Sequence, residues 1–456
     1  MFLDRDSYIE KLNTLYHGEN FETAVLCSAP GMGKTTFLQQ FSTQKNCLYF
    51  RAALTTEKEN FHALKQEAIR VLGENKKLTD ARRFAELFRA IGKAASEQRL
   101  LFIIDDYPHL IKQNRRLSTL IQNYIKKEWT TSRLFLIFCK PVDAYEKEAA
   151  QNPNVMLLRP FTFFETRQLF RHYTLEEQIY LYGITGGVPG YFQHFDPSLS
   201  LQENLFQLFF RESGAFYRLP EEYLRIHAPL PELAHSALLT LKSQRRKLHE
   251  ICERTELTPS AAGSLLTGLD ALKLTEKIIP VTEEEGSRRT MYRICDGVFR
   301  FWYTFVSPYV NQIAMGHGRD FFENEVLPQL NTYFKDTFED ICRQFLFLLK
   351  QTDQAPFPYE RIGSWWGQHP TKKRTEYVPI AASNENNMLL GACFWTDEWI
   401  DLDALTQLQK HASLFPHSTK WYILFAKSDF VSGMETIFGD SVKVYTLEQM
   451  CTLAEI

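Results

Sequence analysis

Long apolar runs are missing from this sequence: none reaches the roughly 18–20 residues that a helix needs to cross a bilayer. Any CxxC pair is missing too, because the eight cysteines stand apart at positions 27, 47, 139, 252, 295, 342, 393 and 451. That spacing offers neither a zinc site nor a disulfide framework. Several thiols lie inside apolar runs (VLCS, NCLYF, LIFCK), where cysteine behaves as a small hydrophobe, so a reducing compartment is expected. The opening MFLDRDSYIEKL carries acids and no long apolar core, and so does not read as a signal peptide. A dominant charge is also lacking. The net charge of −3 gives no global attraction to nucleic acid or to an anionic membrane. These absences lead to the expectation of a cytoplasmic protein without membrane association.

What is present is ordinary in bulk, with 44% apolar and 23% charged residues. Aromatics are plentiful at 14%, with 36 phenylalanines, which points to large cores or adhesive interfaces. A chain of 456 residues has room for about three or four domains of roughly 100–200 residues each.

The strand-like TAVLCSA (23–29) runs through PGMGKT into the helical TFLQQF, the context that a phosphate-binding loop requires. Gly31 and Gly33 let successive backbone N–H groups turn toward phosphate oxygens at a helix N-terminus. Lys34 is placed to reach the β- and γ-phosphates, and the Thr35 hydroxyl to ligate Mg²⁺. Ser28 stands where the usual pattern begins with glycine. Pro30, Met32 and Thr36 complete the stretch expected to cradle ATP or ADP. RLLFIIDDYPHL (99–110) supplies the partner, an apolar strand ending in two carboxylates. Asp105 is placed to hold Mg²⁺, and Asp106 to polarise the attacking water. Asp106 is one methylene shorter than glutamate, and a misplacement of about 1 Å can cost about a hundredfold, so slow hydrolysis is expected. A third strand, RLFLIFCK (133–140), ends in Lys140, which reads either as a phosphate sensor or as an exposed lysine.

The order FLDRD, PGMGKT, IDDYPHL, GGVPGY and CDGVFRFWYTFV resembles the archaeal-type, AAA-like ATPases of the signal-transduction (STAND) branch of P-loop NTPases. More narrowly, it resembles prokaryotic members that end in a restriction-endonuclease-like domain. The resemblance implies an α/β fold in four parts: a P-loop NTPase parallel sheet (1–160), a helical lid (161–228), a winged-helix domain (229–316) and a C-terminal α/β nuclease-like domain (317–456). It implies that Arg5 lies near the nucleotide, although Asp4 and Asp6 replace the Gly and Glu that flank this arginine in the family. It also implies that Pro189 of GGVP lies close to the adenine; a plain helix-ending turn is the other reading.

Residues 231–294 read as three helices and a β-hairpin, which the resemblance makes a winged helix. The third helix carries one acid, Asp270, and one base, Lys273, among small and apolar residues. The hairpin sets Glu283, Glu284 and Glu285 beside Arg288 and Arg289. A reader of DNA needs a basic face and polar base contacts. Neither is evident, and internal packing is favoured, with KSQRRK (242–247) as a solvated turn.

Beyond residue 317 the pattern alternates helices with apolar strands, as in a small α/β sheet. The run MLLGACFW inside NNMLLGACFWTD (386–397) looks like a strand buried on both faces. The nuclease-like resemblance gives it further meaning. Such nucleases converge an Asp and a Glu-x-Lys on a divalent ion, because the cation needs carboxylate oxygens and the lysine stabilises developing charge. EYVPIA keeps Glu376 but has Val378 at the Asp position. GACFW has Ala392 and Phe394 at the Glu and Lys positions, and Glu339 remains on the preceding helix. A degenerate nuclease is therefore expected, attached to an ATP-binding switch whose partner is an unspecified protein. An active ATP-regulated nuclease and a DNA-bound regulator are the alternatives.

Overall fold

The computed structural model describes residues 5–112, 114–242, 244–369, 374–431 and 439–455. Asp4 of the opening motif and Ser243 of the basic turn lie outside them. The chain divides into two units: Phe2–Pro160 with Val188–Gly190, and Phe161–Gly187 with Tyr191–Ile456.

The first unit is built on five parallel strands: β1 (Glu22–Ser28), β2 (Cys47–Arg51), β3 (Leu100–Asp105), β4 (Leu134–Pro141) and β5 (Val155–Leu158). They lie in the order β2-β3-β4-β1-β5. Every residue of β3 is buried, as continuous apolar runs covered on both faces should be. Helices α1 (Asp6–His17) and α2 (Lys34–Ser42) cover one face through Leu12, Phe37, Leu38 and Phe41. Helices α3 (Glu57–Leu72), α4 (Phe84–Glu97), α5 (Tyr107–Lys112) and α6 (Arg115–Asn123) cover the other. β4 separates the phosphate-loop strand β1 from the carboxylate strand β3. The C-terminal ends of parallel strands are where such sheets place their ligands.

The second unit starts with helices, among them α7 (Leu175–Thr185), α8 (Leu201–Phe209) and α9 (Leu219–His227). Then come α10 (Pro231–Leu241), α11 (Leu248–Thr255), α12 (Pro259–Ala271) and an antiparallel hairpin of β6 (Thr275–Ile278) and β7 (Met291–Ile294). One core runs from Phe170 to Phe334. The aromatic run 299–306 joins it together: Phe301 meets Phe209 at 4.6 Å and Tyr333 at 5.8 Å between ring centroids.

Helix α13 (Lys335–Gln351) leads into a mixed sheet of β8 (Arg361–Gln368), β9 (Thr375–Ser383), β10 (Asn387–Phe394), β11 (Thr419–Ala426) and β12 (Val442–Thr446), in the order β12-β11-β10-β9-β8. β8, β9 and β10 pair antiparallel, while β10, β11 and β12 pair parallel. The apolar stretch singled out in the sequence is β10, the middle strand, with Met388, Leu389 and Leu390 at most 1% exposed. α13 packs on one face, and α14 (Leu402–Gln409) on the other. β9 carries a bulge: Trp365 pairs with Val378 but Gly363 with Ala381, leaving one extra residue beside Pro379, which has no N–H for the ladder. The β6–β7 hairpin is fastened to β8, where Val281 N–H donates to Ser364 O at 2.9 Å and Trp366 Nε1 to Arg289 O at 3.0 Å.

Candidate functional site

Between β1 and α2 the chain turns at Gly31 (φ +79°) and Gly33 (φ +71°), angles that only glycine adopts without strain. The turn delivers Lys34, Thr35 and Thr36 to the first turn of α2, with both threonines exposed. Pro30 is exposed, Met32 is buried and pins the loop to the core, and Ser28 is buried as the last residue of β1. Arg5 is buried, and its Nη2 donates to Met32 O at 3.1 Å and Arg159 O at 3.0 Å. It therefore clasps the loop from behind through the backbone.

The two carboxylates lie directly opposite. Lys34 Nζ is 2.6 Å from Asp105 Oδ1 and 3.0 Å from Asp106 Oδ1. Asp105 is 1% exposed and also accepts from Tyr49 Oη at 2.7 Å and from the backbone N–H of Asp106 at 2.8 Å. Asp106 takes φ +51°, in the left-handed region that aspartate tolerates better than most residues. That twist turns its carboxylate toward Lys34 and toward Arg51, whose Nε donates at 2.9 Å. Burial alone would raise the Asp106 pKa, but Arg51 and Lys34 outweigh it and hold the group below the usual carboxylate range. Burial opposes the charge on Lys34 as well, yet Asp105 leads in raising its pKa above the usual value. Burial and then Asp105 push the Tyr49 hydroxyl and the Cys139 thiol well up, so both stay neutral.

Val188–Gly190 packs on the loop. Gly190 N–H donates to Gly31 O at 2.8 Å. A side chain at Gly31 would meet Val188 Cγ1 at 3.1 Å, and one at Gly33 would meet Pro189 Cβ at 3.6 Å. The preceding Gly187 has φ +71°, and a Cβ there would fall 1.9 Å from Phe161 O, so glycine is obligatory on two counts. Immediately after the loop contact, Tyr191 Oη donates to Asp296 Oδ2 at 2.8 Å.

The structure thus brings Arg5, the loop residues 28–36, Asp105, Asp106 and Pro189 to one end of the sheet. The Lys140 ammonium is 2.6 Å from Glu148 and over the Tyr107 ring. Sequence reasoning missed Tyr49 and Arg51. The β2–β3 register sets Arg51 beside Asp105, and only that pairing reveals its proximity.

On the C-terminal sheet, Val378 is fully buried, and Ala392 and Phe394 pack on the α14 face. Glu376 accepts from Arg374 at 2.6 Å and lies 3.3 Å from His411. Glu339 accepts from Tyr377 Oη at 2.7 Å. Residues 376 and 377 point to opposite faces of β9, so the two remaining carboxylates are on opposite sides of the sheet. Among the described residues, no cluster of three or more His, Cys, Asp or Glu could hold a metal ion.

Residues 2–195 match an ATPase domain predominantly from Archaea, and residues 302–410 match a family of archaeal and bacterial proteins of unknown function. The module that carries the loop is a P-loop ATPase domain. An uncharacterized protein of Methanocaldococcus jannaschii is 24% identical over 412 residues, covering 88% of each chain. Among solved structures, the Walker-type ATPase of Pyrococcus abyssi aligns with a TM-score of 0.49 at 16% identity, over 66% of this chain and 96% of its own. A STAND ATPase with a tetratricopeptide-repeat sensor from Pyrococcus horikoshii aligns with a TM-score of 0.32 at 14% identity, over 76% of this chain and 50% of its own. No helix among the described residues is long and apolar enough to cross a membrane.

Proposed function

We propose that the protein is an ATP-dependent molecular switch that hydrolyses ATP slowly and carries a nuclease-like domain without nuclease chemistry. One observation carries this reading: Lys34 sits between Asp105 and Asp106 while Val188–Gly190 packs on both loop glycines. The donor set fits a nucleoside triphosphate with a hard cation. Lys34 and the first-turn N–H groups of α2 would take phosphate oxygens, and Thr35 and Asp105 would hold Mg²⁺. When bound, Mg·ATP supplies the transferable phosphoryl group. Lys34 can serve a phosphate only by loosening its hold on the carboxylates. Asp106 then keeps Arg51 and orients water, but a carboxylate held by a cation is a weak base. Slow turnover follows from that pairing.

In this reading Pro189 borders the adenine, and the segment 231–294 is a winged helix used as an internal joint. Support comes from charges of that segment that pair within the unit. Glu283 pairs with Arg289 at 3.0 Å, Glu284 pairs with Arg361, and Arg245 lies 3.5 Å from Glu339. The apolar positions 378, 392 and 394 and the split carboxylates support loss of cleavage. Phosphate release from Mg·ATP should fall roughly a hundredfold or more in Lys34→Ala, as expected when a preorganised charge is removed. Unchanged release in that variant would refute the site. Mg²⁺- or Mn²⁺-dependent cleavage of DNA or RNA by the full chain would refute the degenerate nuclease.

A further inference from the structure

We propose that the ATPase module has a second binding site: a cleft of about 960 Å³ between α3, α4 and α6 that docks an acidic, partly apolar peptide segment of a partner protein. Its floor is apolar. Phe61 and Phe84 meet edge to face with centroids 5.3 Å apart, and Leu117 and Leu120 continue the surface along α6. Its rim is cationic, with Lys58 on α3, Arg82 before α4 and Arg116 on α6 all exposed. Among the described residues, no hydrogen bond or ion pair engages those three side-chain charges.

The other charged lining groups are already committed. Lys65 gives its ammonium to Thr79 O at 2.6 Å and Ala81 O at 2.9 Å, which builds the wall. Arg83 pairs with Glu86 at 3.3 Å. Glu57 is the one acid among the lining residues, and its carboxylate accepts from the Asn114 amide at 3.1 Å. The field inside the cleft is therefore positive over an apolar base. Charge complementarity selects carboxylates for the rim, and the floor selects aliphatic or aromatic side chains between them. Single-stranded nucleic acid fits less well. Its recognition needs cations that track a groove, whereas here they ring a pocket.

The cleft also lies next to the switch. α3 follows Arg51 through a loop whose Ala52 N–H donates to Asp105 O at 2.9 Å, and α6 follows Asp106 by way of α5. A bound segment would therefore bear on the two loops that carry the Asp106–Arg51 pair. Docking itself does not depend on the hydrolysis reading, because binding is measured without nucleotide.

The test uses the full chain and fluorescence anisotropy with three labelled probes. One is a peptide of about 14 residues, long enough for four helical turns, with leucines every third or fourth position and glutamates between them. The second replaces the glutamates by lysines, and the third is an oligo-dT of matching charge. The glutamate peptide should bind, weaken with salt, and lose about tenfold or more in affinity to Arg82→Glu/Arg116→Glu, which should take up the lysine peptide instead. Circular dichroism checks the fold of the reversed protein, with Lys58→Glu as the substitute variant. No binding of the glutamate peptide, binding that survives charge reversal, or tighter binding of oligo-dT lost on the same reversal would each overturn the proposal.

Discussion

Arg51 controls how basic Asp106 can be. Its guanidinium is 72% exposed, so losing the pair should cost under about 1 kcal/mol of stability. The effect on turnover should be larger than that. Burial pushes the Asp106 carboxyl up, while Arg51 and Lys34 bring it below the usual range, so removing Arg51 lets it rise. In Arg51→Ala the acid limb of the pH–rate profile should therefore move to higher pH. An unmoved acid limb would show that Asp106 does not titrate in the rate-limiting step. The sequence could not disclose this residue. Lys34, Thr35 and the two aspartates were legible because loop and strand signals are local, whereas Arg51 and Tyr49 arrive through strand pairing.

At the scale of elements, α13 and β7 are bound by charge. Arg293 on β7 pairs with Asp340 at 3.0 Å and with Glu276, and Arg343 also reaches Asp340. Burial works against the Asp340 carboxylate, but Arg293 and Arg343 outweigh it and hold its pKa far below the usual value. A depressed carboxylate stabilises the fold above its unfolded pKa of about 3.9, and that stability is lost as pH falls below it. Arg293→Met should thus cost about 2–3 kcal/mol at neutral pH in denaturant titrations, and the gap to the parent protein should narrow below about pH 4. A gap independent of pH would assign the loss to packing. The strands of this region were legible from their apolar runs. The bulge at Pro379 and the hairpin's attachment to β8 were not, because both depend on which strand lies alongside.

At the scale of the whole molecule, three residues, Val188–Gly190, belong by their contacts to the ATPase unit while the chain on either side belongs to the other unit. The resemblance brought Pro189 of GGVP to the nucleotide, but the sequence could not show this division, since it depends on contacts distant in the chain. A nucleotide shifts such an arrangement only by binding its two states with different affinity. The most direct measurement is hydrogen exchange on the full chain with Mg·ADP and with a non-hydrolysable ATP analogue. Amide protection should differ between the two nucleotides at residues 187–191 and, through the Tyr191–Asp296 bond, at 297–301, and Lys34→Ala should abolish the difference. Identical exchange with both nucleotides, each shown to be bound, would contradict a switch and leave an ATPase whose chemistry stays within its own unit.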